Sequence, residues 1–104
     1  MKSITNEIGF KEIIIVDDCD FEVFYLCAKN LSKLLGIAYT KQIDDFDSLY
    51  WEFDFREAMF ILAYNTFLGI SIYSQKGKDA SPADNKILDE VYELIKDSNE
   101  LLNL

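Results

Sequence analysis

The sequence predicts an α+β fold, in which a mostly antiparallel sheet carries two helices packed on one face. Three observations predict it: two segments with apolar residues at three- and four-residue spacing, a central segment that alternates apolar and polar residues, and short connections between the predicted strands. The predicted order is β-α-β-β-β-β-α, in a single domain spanning residues 1–104. Parallel pairing of the first strand stays open, because a β-α-β unit permits it.

The first predicted strand and helix occupy residues 11–36. Lys11-Glu12 leads into residues 13–16, four consecutive β-branched residues that are typical of a central strand buried on both faces. Asp20 is the predicted N-cap of a helix that runs to about Leu35, and Gly36 is suited to end it. The apolar stripe of this helix consists of Phe21, Phe24, Ala28, Leu31 and Leu35.

Four further strands are predicted in the middle of the chain. A weak strand over residues 37–43 places Ile37, Tyr39 and Ile43 on one side, and the turn that follows is rich in Asp. From Ser48 the alternation is strict, and the turn at Arg56-Glu57 leads to strands over residues 59–64 and 68–74. In the alternating strand one face holds Leu49, Trp51, Phe53 and Phe55, and the other holds Tyr50, Glu52, Asp54 and Arg56.

A second helix is predicted from Ser81 to the end of the chain. Ser81 at the N-cap, Pro82 at the first helical position and Asp84 at the third form a variant of the capping box. Its apolar residues are Ile87, Leu88, Val91, Tyr92, Leu94, Ile95 and Leu102.

The composition argues against several classes of function. The chain has 10 Lys and Arg against 19 Asp and Glu, a net charge of −9, which opposes nucleic acids and anionic membranes as partners. It has no histidine, the commonest general base and transition-metal ligand. Cys19 and Cys27 are expected to be free thiols, since roughly 12 Å of helix separates them. Without a signal-type or membrane-spanning apolar segment, the expected location is the cytoplasm.

Carboxylate clusters are the remaining candidates for chemistry. Glu52 and Asp54 on one strand face could form an acid–base pair, but a solvated face explains them better in so acidic a chain. Two groups of Asp could hold a hard cation through oxygen, but neither matches a calcium-loop pattern. We therefore expect no enzyme, no cofactor and no metal site. The two groups are Asp17, Asp18 and Asp20, and Asp44, Asp45 and Asp47.

The acidic stretch between residues 44 and 57 is the predicted binding surface. It holds six acidic residues against Arg56 alone, and its outward face includes Tyr50. Aromatic rings supply anchor area and carboxylates steer a basic partner, although acids that merely solubilise the sheet are the alternative. Neighbouring strands could add Phe60, Leu62 and Tyr64, or their alternates, with Tyr73. The predicted partner-binding residues are Asp44, Asp45, Asp47, Tyr50, Glu52, Asp54 and Glu57.

Two segments resemble other families locally. Residues 13–18 resemble the first strand and acidic pair of response-regulator receiver domains, but the predicted β-meander lacks that family's alternating α/β order. The α-β-β-β-α order resembles the double-stranded-RNA-binding domain, with Lys76 and Lys78 before the second helix. That family contacts RNA phosphates, which would be repelled here by Asp79, by Asp84 and by the negative net charge.

In size, charge and lack of a catalytic signature, the whole chain resembles the immunity proteins of bacterial toxin systems, including contact-dependent growth inhibition. That resemblance implies a cognate toxin with a basic surface, often a nuclease, whose active site is covered by tight one-to-one binding. Tyr50 and Trp51 are candidate anchors, with Trp51 expected in the core. The alternative is a small cytoplasmic adaptor or regulatory domain that acts by protein–protein binding or homodimerisation.

Overall fold

The computed structural model describes residues 1–5, 9–98 and 101, and it confirms the α+β class. Six antiparallel strands form one open sheet, and both helices lie on one face. The predicted order is confirmed, with one additional strand at the amino-terminal end. The strands are β1 (Lys2–Thr5), β2 (Lys11–Val16), β3 (Tyr39–Asp44), β4 (Ser48–Phe55), β5 (Ala58–Asn65) and β6 (Gly69–Ser74), and the helices are α1 (Phe21–Leu35) and α2 (Pro82–Ile95).

The sheet has the order β1-β2-β6-β5-β4-β3, and every neighbouring pair is antiparallel. The strands β3 to β6 form a meander, as predicted. The helix α1 connects β2 to β3 at the far edge, so β2 lies beside β6 and the parallel pairing left open does not occur. The additional strand β1 escaped prediction because four residues with one large apolar side chain, Ile4, show no clear alternation.

The core lies between the helices and one face of the sheet. In β4 the predicted apolar face is confirmed, since Leu49 and Phe53 are buried. The prediction that β2 is buried on both faces is wrong: Ile13 and Ile15 are buried, but Ile14 is only half-buried because no helix covers its face. Buried helix residues on the other side of the core are Phe24, Cys27, Ala28, Leu31, Leu88, Val91 and Ile95.

Both ends of α1 have the predicted caps. The Asp20 side chain accepts a hydrogen bond from Val23 N at 3.2 Å, and Gly36 adopts a φ of 67° while its N–H donates to Ser32 O. Cys27 lies on the buried side of this helix and is a free thiol, as Cys19 is. Burial raises the pKa of Cys27 to about 12, so this thiol stays protonated and packs as an apolar group.

An irregularity in β3 changes which residues share a face. The pairing with β4 shifts register between Tyr39 and Lys41. Tyr39 therefore lies opposite Phe53 on the helix side, whereas Ile43 lies opposite Tyr50 on the other side. The predicted placement of Tyr39 and Ile43 on one side is wrong, because an extra residue in one strand reverses the alternation beyond it.

The helix α2 begins as predicted and ends earlier than predicted. Ser81 and Asp84 form a complete capping box, in which each side chain accepts from the other residue's backbone N–H. The helix ends at Ile95 rather than continuing to the end of the chain. Leu102, which we placed on its apolar side, lies outside the described residues.

The capping box makes the stability of the protein depend on pH. The Ser81 N–H, 3.0 Å from Asp84 Oδ2, holds the pKa of Asp84 below its usual range, with smaller contributions from the Ser81 hydroxyl and Lys76. A lowered folded-state pKa stabilises the fold above the unfolded value of about 3.9, and this stabilisation is lost as the pH falls through the folded value.

We expect Asp84→Ala to cost about 1 kcal/mol of unfolding free energy at neutral pH. The difference from the unmodified chain should shrink as the pH falls below about 4, because the carboxyl then takes up a proton in the unfolded state first, and it should vanish below the lowered folded-state pKa. Urea unfolding over a pH series measures it, with the exposed Asp79→Ala as control. A difference that stays constant with pH would contradict this explanation.

Candidate functional site

The seven predicted binding residues lie in three separate places. Tyr50, Glu52 and Asp54 point away from the helices, on the uncovered face of β4. Asp44 at the end of β3, with Asp45 and Asp47 in the turn after it, lies at one end of the sheet, and Glu57 lies in the turn at the other end of β4. Eight extended residues separate these ends by roughly 25 Å. The structure therefore does not form one continuous patch from all seven.

The face of the sheet that the helices leave uncovered is called here the open face. Strand register arranges its central residues in two rows that run across the sheet. The neighbours of Tyr50 and Glu52 on β5 are Ala63 and Ile61, whereas Phe60, Leu62 and Tyr64 are buried under the helices. The rows are Lys41, Glu52, Ile61, Tyr73, Glu12 and Ile4, and Ile43, Tyr50, Ala63, Ser71, Ile14 and Lys2.

The four inner strands of the open face carry aromatic and acidic side chains. Burial among neighbouring side chains raises the pKa of Glu12 and of Tyr73, and the nearby Tyr50 and Glu12 add to the effect on Tyr73. Phe10 packs on the Tyr73 ring with centroids 5.6 Å apart. Within the two rows the lysines lie on the edge strands β1 and β3, and Glu12 and Glu52 lie on the strands next to them, with Glu52 directly opposite Lys41.

Asp44 at the end of β3 and the two Asp residues in the turn after it each accept a local hydrogen bond. Asp44 accepts from Trp51 Nε1 at 3.0 Å, Asp45 from Phe46 N at 2.8 Å, and Asp47 from the Ser48 hydroxyl at 3.1 Å. Such bonds fix the turn, which is the ordinary role of Asp at a strand end. They leave each carboxylate with further acceptor capacity, so a partner could still bind them.

The turn between β3 and β4 is joined to the turn between β5 and β6. Thr66 donates to the Asp47 carbonyl oxygen through both its backbone N–H, at 3.1 Å, and its hydroxyl, at 3.0 Å. The Asn65 amide donates to the Ser48 hydroxyl at 3.0 Å. Because β6 lies beside β2, the Asp residues that follow β2 reach the same end of the sheet. We call residues 17–20, 44–47 and 65–68 together the hairpin end.

Sequence reasoning missed the apolar side chains of the hairpin end. Phe46 is 95% exposed, Phe67 81% and Leu68 74%. Leu68 was predicted to begin a strand, but it lies in the turn before β6. A signal was present in the sequence, since Phe46 lies between Asp45 and Asp47 where turns ordinarily carry polar residues.

Trp51 lies on the helix side of β4, where it contacts the core. Its ring meets Phe24 and Tyr39 edge-on, at centroid distances of 5.1 Å and 5.2 Å. The ring is partly buried, and its N–H is taken by Asp44. The expectation that Trp51 packs in the core is confirmed, because its partly buried ring packs against the core. Trp51 is therefore not an anchor on the open face.

The arrangement of side chains is suited to binding. A concavity of about 360 Å³ lies between the open face and the turn before β6, and its lining combines apolar and charged side chains. Within residues 1–5, 9–98 and 101, no three His, Cys, Asp or Glu residues are placed to hold one metal ion. None of the helices in that part of the chain is long and apolar enough to cross a membrane. The concavity is lined by Lys2, Ile4, Glu12, Ile14, Asp17, Phe67, Leu68 and Ser71.

Comparison with known proteins assigns the chain to a family. Searches of curated proteins and of solved structures returned no significant match. One family model, described as "Protein of unknown function (DUF3630)", matches residues 1–85, which include all six strands, α1 and the start of α2. The chain therefore belongs to the DUF3630 family.

Proposed function

We propose that this chain binds and neutralises a cognate toxin domain with a basic surface, in the manner of an immunity protein. The observation that carries the proposal is the open face, whose four inner strands combine tyrosine rings with carboxylates and which neither helix covers. Tyr50 and Tyr73 are the proposed anchors on this face. Glu12, Glu52 and Asp54 are the proposed acidic contacts.

The physical chemistry of this face fits a cationic protein partner. Tyrosine offers a large rigid contact area with a polar tip, and carboxylates speed the encounter with a positive surface. The net charge of −9 extends the attractive field beyond the face itself. If the toxin is a nuclease, the Lys and Arg side chains that hold phosphates are complementary to Glu52 and Asp54. Covering them would exclude nucleic acid from the toxin's active site.

The first experiment identifies the partner. The tagged chain is used to capture proteins from a lysate of its native organism at low and at high salt, with mass spectrometry as the readout. We expect one basic protein at near-equal stoichiometry, with less recovered at high salt because the contact is charge-assisted. Recovery of this chain alone under both conditions would contradict the proposal.

A charge-reversal variant then tests the face itself. We expect Glu52→Lys with Asp54→Lys to abolish binding of the captured partner, and protection of cells that express it, while circular dichroism shows an intact fold. Two lysines on the face would replace attraction by repulsion. The matched control is Glu93→Lys with Asp97→Lys, which changes the net charge equally on the helix side. Full protection by the open-face variant would discard this surface.

Self-association as an adaptor or regulatory domain is the second candidate. The uncovered Tyr50, Ile61 and Tyr73 favour it, since a second copy on the open face would bury them. Glu12 and Glu52 oppose it, because packing two copies of this face together would bring like charges close to one another. Analytical ultracentrifugation of the isolated chain separates the two candidates: a stable dimer supports this one, and a monomer contradicts it.

A further inference from the structure

The hairpin end exposes three large apolar side chains that the fold does not use. Phe46, Phe67 and Leu68 are at least 74% exposed, far more than the other described large apolar residues, none of which exceeds 48%. Burying a side chain of this kind contributes roughly 1.5–3 kcal/mol, and here that contribution is absent. The two turns are held instead by polar bonds, including those from Phe46 N to Asp45 and from Phe67 N to Asn65. These side chains are therefore available to a partner.

Hydrogen bonds hold the three segments of the hairpin end in one arrangement. The bonds from Thr66 to the Asp47 carbonyl join the two turns directly. The Tyr64 hydroxyl donates to the Cys19 carbonyl at 3.0 Å, which ties the segment after β2 to β5. A surface whose backbone is already ordered loses less entropy on binding, so its apolar side chains contribute more to affinity.

Charge defines the kind of partner that this end fits. Residues 17–20, 44–47 and 65–68 contain six Asp and no Lys or Arg, and Lys2 borders them at the concavity. Repulsion between like charges disfavours binding of these carboxylates to an anionic bilayer, and it disfavours their contact with the hairpin end of a second copy. A partner with an apolar recess could bury the exposed side chains, and Lys and Arg around that recess could pair with the carboxylates that surround them.

We propose that the hairpin end is a docking surface for a protein with an apolar recess bordered by Lys and Arg, into which Phe46, Phe67 and Leu68 insert. This inference rests on the proposed function in one respect, that the partner is a basic protein. It adds an apolar anchor outside the open face. Phe67 and Leu68 line the same concavity as Glu12 and Ile14 of the open face, so one partner can contact both surfaces.

The test uses two synthetic peptides of equal length and equal lysine content. In one the lysines alternate with leucine and tryptophan, and in the other with serine and glycine. Each is titrated into the ¹⁵N-labelled full chain, and amide shifts give the site and the affinity. The key variant is Phe46→Ser with Phe67→Ser and Leu68→Ser. The control is Tyr25→Ser with Leu94→Ser, which removes exposed apolar side chains on the helices.

We expect the apolar peptide to shift amides of the hairpin end and to bind roughly tenfold or more weakly to the key variant. The control variant should bind it unchanged. Equal binding of the two peptides would overturn the inference, because charge alone would then account for it, and so would absence of binding. Binding to uncharged phosphatidylcholine vesicles that the key variant loses would also overturn it, in favour of a membrane.

One outcome separates this inference from the proposed function. If the peptide shifts amides of the open face only, and the key variant binds it normally, the docking role of the hairpin end is wrong while the open face stays supported. If the key variant loses peptide binding but the lysine variant of Glu52 and Asp54 protects cells fully, the open face is wrong and the hairpin end stands.

Discussion

A single added methyl group at Gly69 is expected to destabilise the fold severely. A Cβ at this position would lie 1.9 Å from the Val16 carbonyl oxygen and 2.7 Å from the Asp17 carbonyl carbon. Both atoms belong to backbone, which a rotamer change cannot move. Gly69 also has a φ of +78°, a conformation that L side chains rarely adopt. We expect Gly69→Ala to cost more than about 4 kcal/mol, a large part of the stability of an ordinary domain.

The chain supplies a matched control in Gly36. Its φ of +67° is similar, but a Cβ there would meet nothing within 4 Å. Gly36→Ala should therefore cost only the conformational part, roughly 1–2 kcal/mol. Denaturant unfolding followed by circular dichroism compares the two variants. Equal losses of unfolding free energy would show that the backbone at the end of β2 moves away from Gly69 at little cost. That result would contradict the close contact between β6 and β2.

Phe60→Ala is expected to have the next largest effect. Phe60 is fully buried on the helix side of β5, and its ring contacts that of Phe53 at a centroid distance of 5.8 Å. Truncation removes the transfer free energy of the ring and leaves a cavity that the surrounding sheet cannot close. Substitutions of this kind cost about 3–5 kcal/mol.

The control for Phe60→Ala is the same substitution at Phe67, which is 81% exposed. We expect Phe67→Ala to change the unfolding free energy by less than about 0.5 kcal/mol, since it forms no part of the core. Thermal unfolding of both variants gives the comparison. A large loss at Phe67 would mean that this ring supports the fold, and it would remove the main reason to propose that it binds a partner.

Local patterns account for what the sequence predicted well. The alternation in β4 places Leu49 and Phe53 under the helices because side chains in a strand point to opposite faces in turn. The caps at Asp20 and Ser81 are confirmed because each rests on bonds within a few residues. The tight turn at Arg56-Glu57 was also predicted, although both residues adopt the positive φ that glycine usually provides.

Features that depend on distant segments were not predicted. The register shift in β3 reverses the side on which Ile43 lies, and no local sequence pattern predicts that shift. The hairpin end exists only because β6 lies beside β2, which brings Asp17 and Leu68 to one concavity. Nothing in the spacing of these residues along the chain indicates that pairing. The prediction of one acidic patch from residue 44 to residue 57 reflected nearness in sequence, whereas the sheet separates its members.

The two outer strands determine how this protein can associate with others. An unpaired strand edge is a template on which a further strand can add, and aggregation often begins there. Here β1 has only four residues, and β3 is interrupted by its register shift beside the exposed Lys41. Both properties disfavour the addition of a strand. A sheet with such edges can leave one face uncovered at less risk of edge-to-edge polymerisation, and its edges favour contacts through side chains over contacts through backbone.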